Sequence, residues 1–415
     1  MLKKIIIVFT YQFYLFFLSK LDIKNSKKIK YIKKKINNKK VYLLDFSSIG
    51  SSILLSCYLN RLLSEKKLYK NNLIIISNKT KLNSFWQNKL KQKFFFKECP
   101  NLFKFLKRYS NNFKLNIINW PFDGTNFETE NSLILEFDDE EKLLGDSLLK
   151  KLKIDKNKKI VTISYKSNDY WLKKINKYKS FEEYRLSKPE NLIKSVEFLK
   201  KNNYQIIFTG EPSSNDKKIL SNCIFYDHLE QKEKNFFDFY IYYVANFSII
   251  GQSGDLAFAY LFKKPILNHN AIHPNFFNKG IFLPKYFYNN SKTKYLNFEK
   301  ILKIKKYHYF SDIIFPKLKK ISAIHFKNTF YFSSKDITLI ENNNEDILEG
   351  VKELIEYIDN RFYEKLSNND RILQKNIKEK FYFNSITKND LLINTMEFNG
   401  YVSQNYLNKL KKLNK

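Results

Sequence analysis

Phe247–Asn270 reads FSIIGQSGDLAFAYLFKKPILNHN. Its first four residues, Phe247–Ile250, form an apolar run of the length and composition of a buried strand. The run stops at Gly251-Gln252-Ser253-Gly254, and an apolar helical stretch follows over Leu256–Phe262. Lys263-Lys264-Pro265 ends that stretch and Ile266-Leu267 opens a second strand. A strand, a Gly/Ser turn and a helix make up the half of an α/β unit where anions bind, because bare backbone N–H groups and the helix dipole meet at the helix start. Glycine lets a ligand approach the backbone with no Cβ in the way. The stretch therefore predicts a phosphorylated ligand, a nucleotide foremost. The same residues also fit a plain tight turn, and the neighbouring segments decide between the two.

Downstream of Lys159 the pattern repeats. Ile160–Ile163 reads as a strand, and Pro189–Asn202 as a helix with Ser187 as its cap and Pro189 early in its first turn. Tyr204–Phe208 is a strand that ends at Thr209-Gly210, Phe225–Asp227 a short one, and Phe236–Val244 a helix leading into Phe247. Strands alternating with helices at this spacing imply a parallel sheet. Ligands of such sheets sit at the carboxyl ends of the strands. Here those ends carry Lys166, Gly210, the Gly251–Asp255 turn and Asn268–Asn270, which are expected to line one crevice.

Upstream, Val41–Asp45 reads as a strand, Phe46–Ser52 as a polar turn, Ile53–Leu63 as a helix and Leu73–Ile76 as a second strand. Lys91–Tyr109 reads as mostly helical with a break at Pro100, Leu115–Ile118 as a possible strand and Leu143–Leu152 as a helix. Further on, Ile337–Ile340 reads as a short strand, and Asn344 as the cap of a helix running to about Asp359. The expected organisation is an apolar segment with a basic stretch over 1–40, a Rossmann-like domain over 41–152, a second over 153–365 and a helical tail over 366–415. The tail reads either as a solvated end or as a helix that packs back on the first domain. The fold class is α/β.

The chain has 415 residues and a formal net charge of +33, and of its 74 basic residues five are Arg. A nucleic-acid binder more often reads phosphates and bases with Arg, so no nucleic-acid partner is expected. A surface this positive attracts anionic membranes and phosphorylated substrates. Ile5–Ser19 carries no charge, and at 15 residues it falls short of the ~20 that span a bilayer as a helix. Lys20–Lys40, with ten Lys and one acid, follows it. The pair fits a helix lying in an anionic membrane interface, or else a core helix. No small-residue cleavage site accompanies it, which makes the expected location cytoplasmic, peripheral on the inner face of the membrane. Cys57, Cys99 and Cys223 are widely spaced and form neither metal motif nor disulfide framework, as suits a reducing compartment. His269 and His273 lack carboxylate company, so no metal is assigned.

Four blocks, in order, resemble a family of bacterial glycosyltransferases of two-domain, GT-B-type architecture that build surface polysaccharides. They are VTISYKSNDYWL (161–172), EEYRLSKPENLIKSVEFLKKNNYQIIFTGE (182–211), FFDFYIYYVANFSIIGQSGDLAFAYLFKKPILNHN (236–270) and ITLIENNNEDILEGVKEL (337–354). The resemblance spans roughly 160–360 and is weaker near 41–60. Where the family carries Arg-Asp this chain has Lys166-Ser167, and where it often ends a strand in Arg-Met-Gly this chain has Phe208-Thr209-Gly210. Lys166 supplies charge without the bidentate fork of Arg.

The resemblance implies two Rossmann-like domains facing a cleft. It also implies transfer of a sugar from a nucleotide-sugar donor to a glycan or lipid-linked glycan acceptor. The alternative is a non-catalytic nucleotide- or carbohydrate-binding protein of the same fold. The donor is a co-substrate, and no metal is expected: backbone N–H groups of Ser253, Gly254 and Asp255, with Lys166 and Arg185, would stabilise the leaving diphosphate. Arg185 equally fits a surface ion pair with Glu182 or Glu183. Asp255 fits a helix cap or a contact to sugar hydroxyls. Gly210 and Asn270 line the crevice, and Glu341 and Asn342 would hold ribose or sugar hydroxyls. Asp45 is the first candidate for the general base toward the acceptor and Asp169 the second.

Overall fold

A computed structural model describes residues 40–44, 49–64, 73–77, 83–94, 96–108, 135–167, 185–271, 279–298, 337–381 and 400–414. The chain divides into two compact units, the first made of residues 1–122 and 127–135, the second of 123–126 and 136–415.

The first unit holds a parallel sheet of strands β1 (Lys40–Leu44), β2 (Leu73–Ser77) and β3 (Phe96–Glu98), in that order. Helix α1 (Ile49–Ser64) links β1 to β2, and α2 (Ser84–Lys93) links β2 to β3; α3 (Pro100–Arg108) follows. The Asn83 side chain caps α2 by accepting the Trp86 N–H. Trp86 is fully buried, and its indole N–H donates to Ser52 Oγ at 2.6 Å, so the largest apolar ring of this core has its polar atom satisfied. Strand β3 lies inside the segment read as helical, between the two helices. The expected strand at Leu115–Ile118 and the apolar segment ahead of Lys40 fall outside the described residues.

The second unit opens with α4 (Asp139–Lys151), started by a capping box between Asp138 and Glu141. This helix packs on α7 (Gln231–Val244): a Cβ at Gly145 would fall 2.2 Å from the Tyr240 ring, so only glycine admits the contact. Phe137 adds edge-on contacts to Phe236 and Tyr240, with ring centroids 5.7 and 5.3 Å away. The second unit thus takes in a helix that the sequence reading placed before a boundary at 152.

Its main sheet contains β4 (Ile160–Ser164), β5 (Gln205–Phe208), β6 (Ile224–Phe225), β7 (Phe247–Ile250), β8 (Ile266–Ala271), β9 (Gly280–Pro284) and β13 (Tyr401–Val402). The order is β13-β9-β8-β7-β4-β5-β6 and every pairing is parallel. Strands β4, β7, β8 and β9 are buried along their whole length, as expected of a sheet covered on both faces. The α/β class read from the sequence is the class observed. From β4 the chain steps outward to β5 and β6, then returns to β7 on the other flank of β4. The β4–β7 pair is therefore the topological switch point of the sheet. Gly280 begins β9 at φ +118°, with room for no side chain: a Cβ there would stand 2.2 Å from the Ile266 carbonyl oxygen.

A small antiparallel sheet, β11-β10-β12, follows β9: β10 is Tyr286–Asn289, β11 Lys294–Tyr295 and β12 Ile337–Ile340. Helix α9 (Asn344–Ile358) is capped by Asn343 in a box with Asp346, one residue ahead of the expected cap at Asn344. Pro189–Leu192 is a 3-10 turn leading into α5 (Ile193–Lys201), and the expected cap at Ser187 is not made.

The described part of the tail belongs to the second unit. After α10 (Phe362–Lys365) and α11 (Asn368–Phe381), β13 joins the edge of the main sheet beside β9, and α12 (Gln404–Leu413) closes on it. The Gln374 amide exchanges two hydrogen bonds with the backbone of Val402 and so completes the outer side of β13. Tyr406 is buried with its ring 4.8 Å from that of Tyr286, and Lys409 reaches Asp346 at 2.6 Å. Among the described residues no helix is long and apolar enough to cross a membrane.

Candidate functional site

The parallel pairings put the carboxyl ends of β4, β5, β7 and β8 along one edge, with Lys166, Gly210, Gly251–Asp255 and Asn268–Asn270 at or just beyond them. Contacts tie these groups together. A Cβ on Gly251 would lie 3.2 Å from Tyr165 Cβ and 3.5 Å from Ser187 Oγ, so the turn after β7 presses against the segment after β4. Asp255 Oδ2 is 3.9 Å from where a Cβ of Gly210 would stand, and Gly210 has φ +103°. Burial, then the charge of Asp255, push the Tyr242 phenol well above its ordinary pKa. The Asn268 amide group donates to the Ile250 carbonyl at 3.0 Å.

The turn itself departs from the expectation of bare amides. The Gly251 N–H donates to the Ser164 carbonyl, the Ser253 N–H to the Gly251 carbonyl, and the Asp255 N–H to Ser253 Oγ at 3.2 Å. Of the three amides expected to face a phosphate, those of Ser253 and Asp255 are thus engaged, and Gly254 carries what remains of that expectation. The helix beyond, α8 (Leu256–Leu261), is six residues long. A dipole this short contributes little to an anion site.

The segment before α5 lies against the turn. Residues 185–188 form a strap: Lys166 pairs with Leu186 as an isolated parallel bridge, and the Ser187 N–H donates to the Lys166 carbonyl at 3.0 Å. From the strap, Arg185 Nε donates to the Gln252 carbonyl at 3.0 Å, which brings a guanidinium to the Gly/Ser turn. Ser187, expected to cap a helix, has a buried hydroxyl with no partner.

Beside this turn lies a buried polar layer, of which the sequence reading left out Lys285. Lys285, between β9 and β10, is 3 % exposed. Its Nζ donates to the Leu186 carbonyl at 2.8 Å and stands 3.9 Å from Glu341 Oε1. Burial brings its pKa down to about 8 against the opposing pull of Glu341. His269 is fully buried with neither ring nitrogen bonded; burial first and Lys285 second hold its pKa down at about 3, so the ring is neutral. Asn268 Oδ1 and Asn270 Nδ2 are likewise buried and unpartnered. A signal for Lys285 did exist: it is the lone charge in the apolar run GIFLPKYFY (280–288).

Asn270 and Asn342 meet each other. Each backbone N–H donates to the other's side-chain oxygen, at 2.7 and 2.6 Å, and Asn342 Nδ2 donates to the Pro284 carbonyl. Asn342 is therefore spent on holding β8 to the end of β12. Glu341 accepts the Lys188 N–H and the Asn191 side-chain N–H, which anchors the strap. Asp45, Asp169, Glu182, Glu183 and His273 fall outside the described residues. Among the described residues no cluster of His, Cys, Asp or Glu could hold a metal ion, and the three cysteines are free and buried.

No family model matches the chain, and no curated protein does. Among solved structures it is similar to a glycosyltransferase family 9 protein from Veillonella parvula DSM 2008, at 10% identity over 55% of this chain and 80% of that one, with a TM-score of 0.38. It is also similar to the E. coli ADP-heptose LPS heptosyltransferase II, at 10% identity over 55% of this chain and 84% of the other, TM-score 0.34. A third is the dodecameric iron-containing heptosyltransferase TibC in complex with ADP-D-beta-D-heptose, at 12% identity over 77% of each chain, TM-score 0.35. Likenesses this slight do not bear on the chemistry.

Proposed function

We propose that the second unit binds a nucleotide-sugar at the β4–β7 switch point and that the protein is a glycosyltransferase acting on a cell-surface glycan or lipid-linked glycan. One observation carries the reading. At this sheet edge Ser187 Oγ, Asn268 Oδ1, both nitrogens of His269 and Asn270 Nδ2 are buried without a protein partner. Buried polar atoms are nearly always hydrogen-bonded, and a ligand rich in hydroxyls would bond such a mixed set of donors and acceptors. Beside them stand Arg185 and Lys166, cations suited to the charge of a leaving diphosphate.

The Gly254 amide and Ser253 hydroxyl add donors at the diphosphate, and Asp255 meets sugar hydroxyls. Transfer needs a base at the acceptor hydroxyl, for which Asp45 is the first candidate and Asp169 the second. No metal is required in this scheme, because side-chain cations take its place. The excess of Lys suits work at the inner face of an anionic membrane.

A thermal-shift screen with nucleoside diphosphates tests the binding half: one of them should raise the melting temperature, and silence from all would sink the reading. Donor hydrolysis then tests the enzyme half. Tight binding without turnover would favour the non-catalytic binder, the reading that Lys166-Ser167 in place of Arg-Asp supports.

A further inference from the structure

We infer that Lys285 is a positioning residue whose buried ammonium, bonded to the Leu186 carbonyl, holds the 185–188 strap so that Arg185 and Ser187 meet the Gly251–Asp255 turn. The inference rests on the nucleotide-binding reading and assigns a role at that same site.

The geometry is that of a clamp. The Lys285 N–H donates to the Ala271 carbonyl at 2.9 Å, and its own carbonyl accepts the Tyr406 hydroxyl at 3.3 Å, so its backbone is fixed from β8 and from α12. From that fixed base Nζ reaches Leu186 at 2.8 Å, between the two strap residues that touch the turn. Glu341 holds the next residue through the Lys188 N–H at 3.2 Å. The charged and titratable groups around the ammonium are Glu341, which stabilises it, and Lys188 and His269, which do not. A buried lysine is a poor way to stabilise a fold. Taking its charge out of water costs free energy that one carboxylate at 3.9 Å does not fully offset. What it holds, the strap, gives the buried charge a role.

The two roles separate by pH. Burial sets the Lys285 pKa at about 8, below its ordinary 10.5. The unfolded chain then holds the proton more tightly, so this group makes the fold more stable as pH rises from about 8 toward 10.5. The clamp, in contrast, weakens as the ammonium loses its proton. Nucleoside-diphosphate affinity of the wild type should therefore fall roughly tenfold between about pH 7 and about pH 9, over a range in which a purely structural lysine leaves binding unchanged.

The experiment is calorimetric titration of Lys285→Met, Lys285→Arg and wild type with the nucleoside diphosphate that binds, across that pH range, alongside melting curves. Lys285→Met should bind roughly tenfold more weakly near neutrality and lose the alkaline fall. Lys285→Arg, charged throughout, should recover affinity and also show no alkaline fall. Wild-type affinity that stays flat with pH, or Lys285→Met binding as tightly as wild type, overturns the inference and leaves the functional reading standing. Should neither variant fold, the wild-type pH profile decides alone. A wild type that binds no nucleoside diphosphate overturns the functional reading and this assignment with it.

Discussion

His269 shows how one side chain ties the site to the stability of the sheet. Its folded pKa lies near 3, against 6.5 for the free group, because burial excludes the charged ring and Lys285 adds repulsion. Between those two values the unfolded chain binds a proton that the folded chain refuses. Stability contributed by the neutral ring is therefore complete above about pH 6.5 and lost as pH falls, by up to ~1.4 kcal/mol per unit. His269→Gln should move the acid unfolding midpoint, followed by circular dichroism, to lower pH; an unmoved midpoint would show that the ring has no such role. At this scale the sequence was only partly legible. Asn342 is expected from the sequence to hold sugar hydroxyls and Asn270 to line the crevice, and of the Asn270 side chain only Nδ2 is left without a partner. Their side-chain oxygens bond each other's backbone across 72 positions, a pairing that no local pattern reveals. Ser187 was read as a helix cap, but the 3-10 turn at Pro189–Leu192 leaves its hydroxyl without that task.

At the scale of elements, legibility follows length and apolar content. Phe247–Ile250 and Ile337–Ile340 have the bounds read from the sequence, since each is an apolar run cut by polar residues. Phe96–Glu98 was missed because three residues between two helices carry no period. Tyr401–Val402 was missed for a related reason: its pairing depends on the backbone edge of β9 and on the Gln374 amide. That small strand does more than its length implies. It covers a sheet edge that would otherwise offer unpaired backbone groups to another chain, and it delivers Tyr406 into the core. A chain ending at Asn399 should lose several kcal/mol, as expected when a large buried ring is removed, and should form oligomers in size-exclusion chromatography. A monomer with the melting temperature of the full chain would contradict this account of the tail.

For the whole molecule, the alternation of strand and helix was sufficient to read the α/β class, and the strand order supplied what the alternation could not: the place where the sheet reverses. The four strand ends expected to share a crevice do share one edge. The Gly/Ser turn expected to present bare amides instead bonds much of itself, and the proposed recognition rests on the strap and on the buried layer around His269 and Lys285. A net charge of +33 attracts any polyanion, so only binding that persists at physiological salt reports on the site.

The most direct test is calorimetric titration of nucleoside diphosphates at physiological salt into wild type and Ser253→Trp, whose side chain would add bulk at the turn. The account predicts a saturable heat with wild type, none with Ser253→Trp, and matching circular dichroism spectra for the two. Equal binding by both proteins would contradict the placement of the ligand at the switch point.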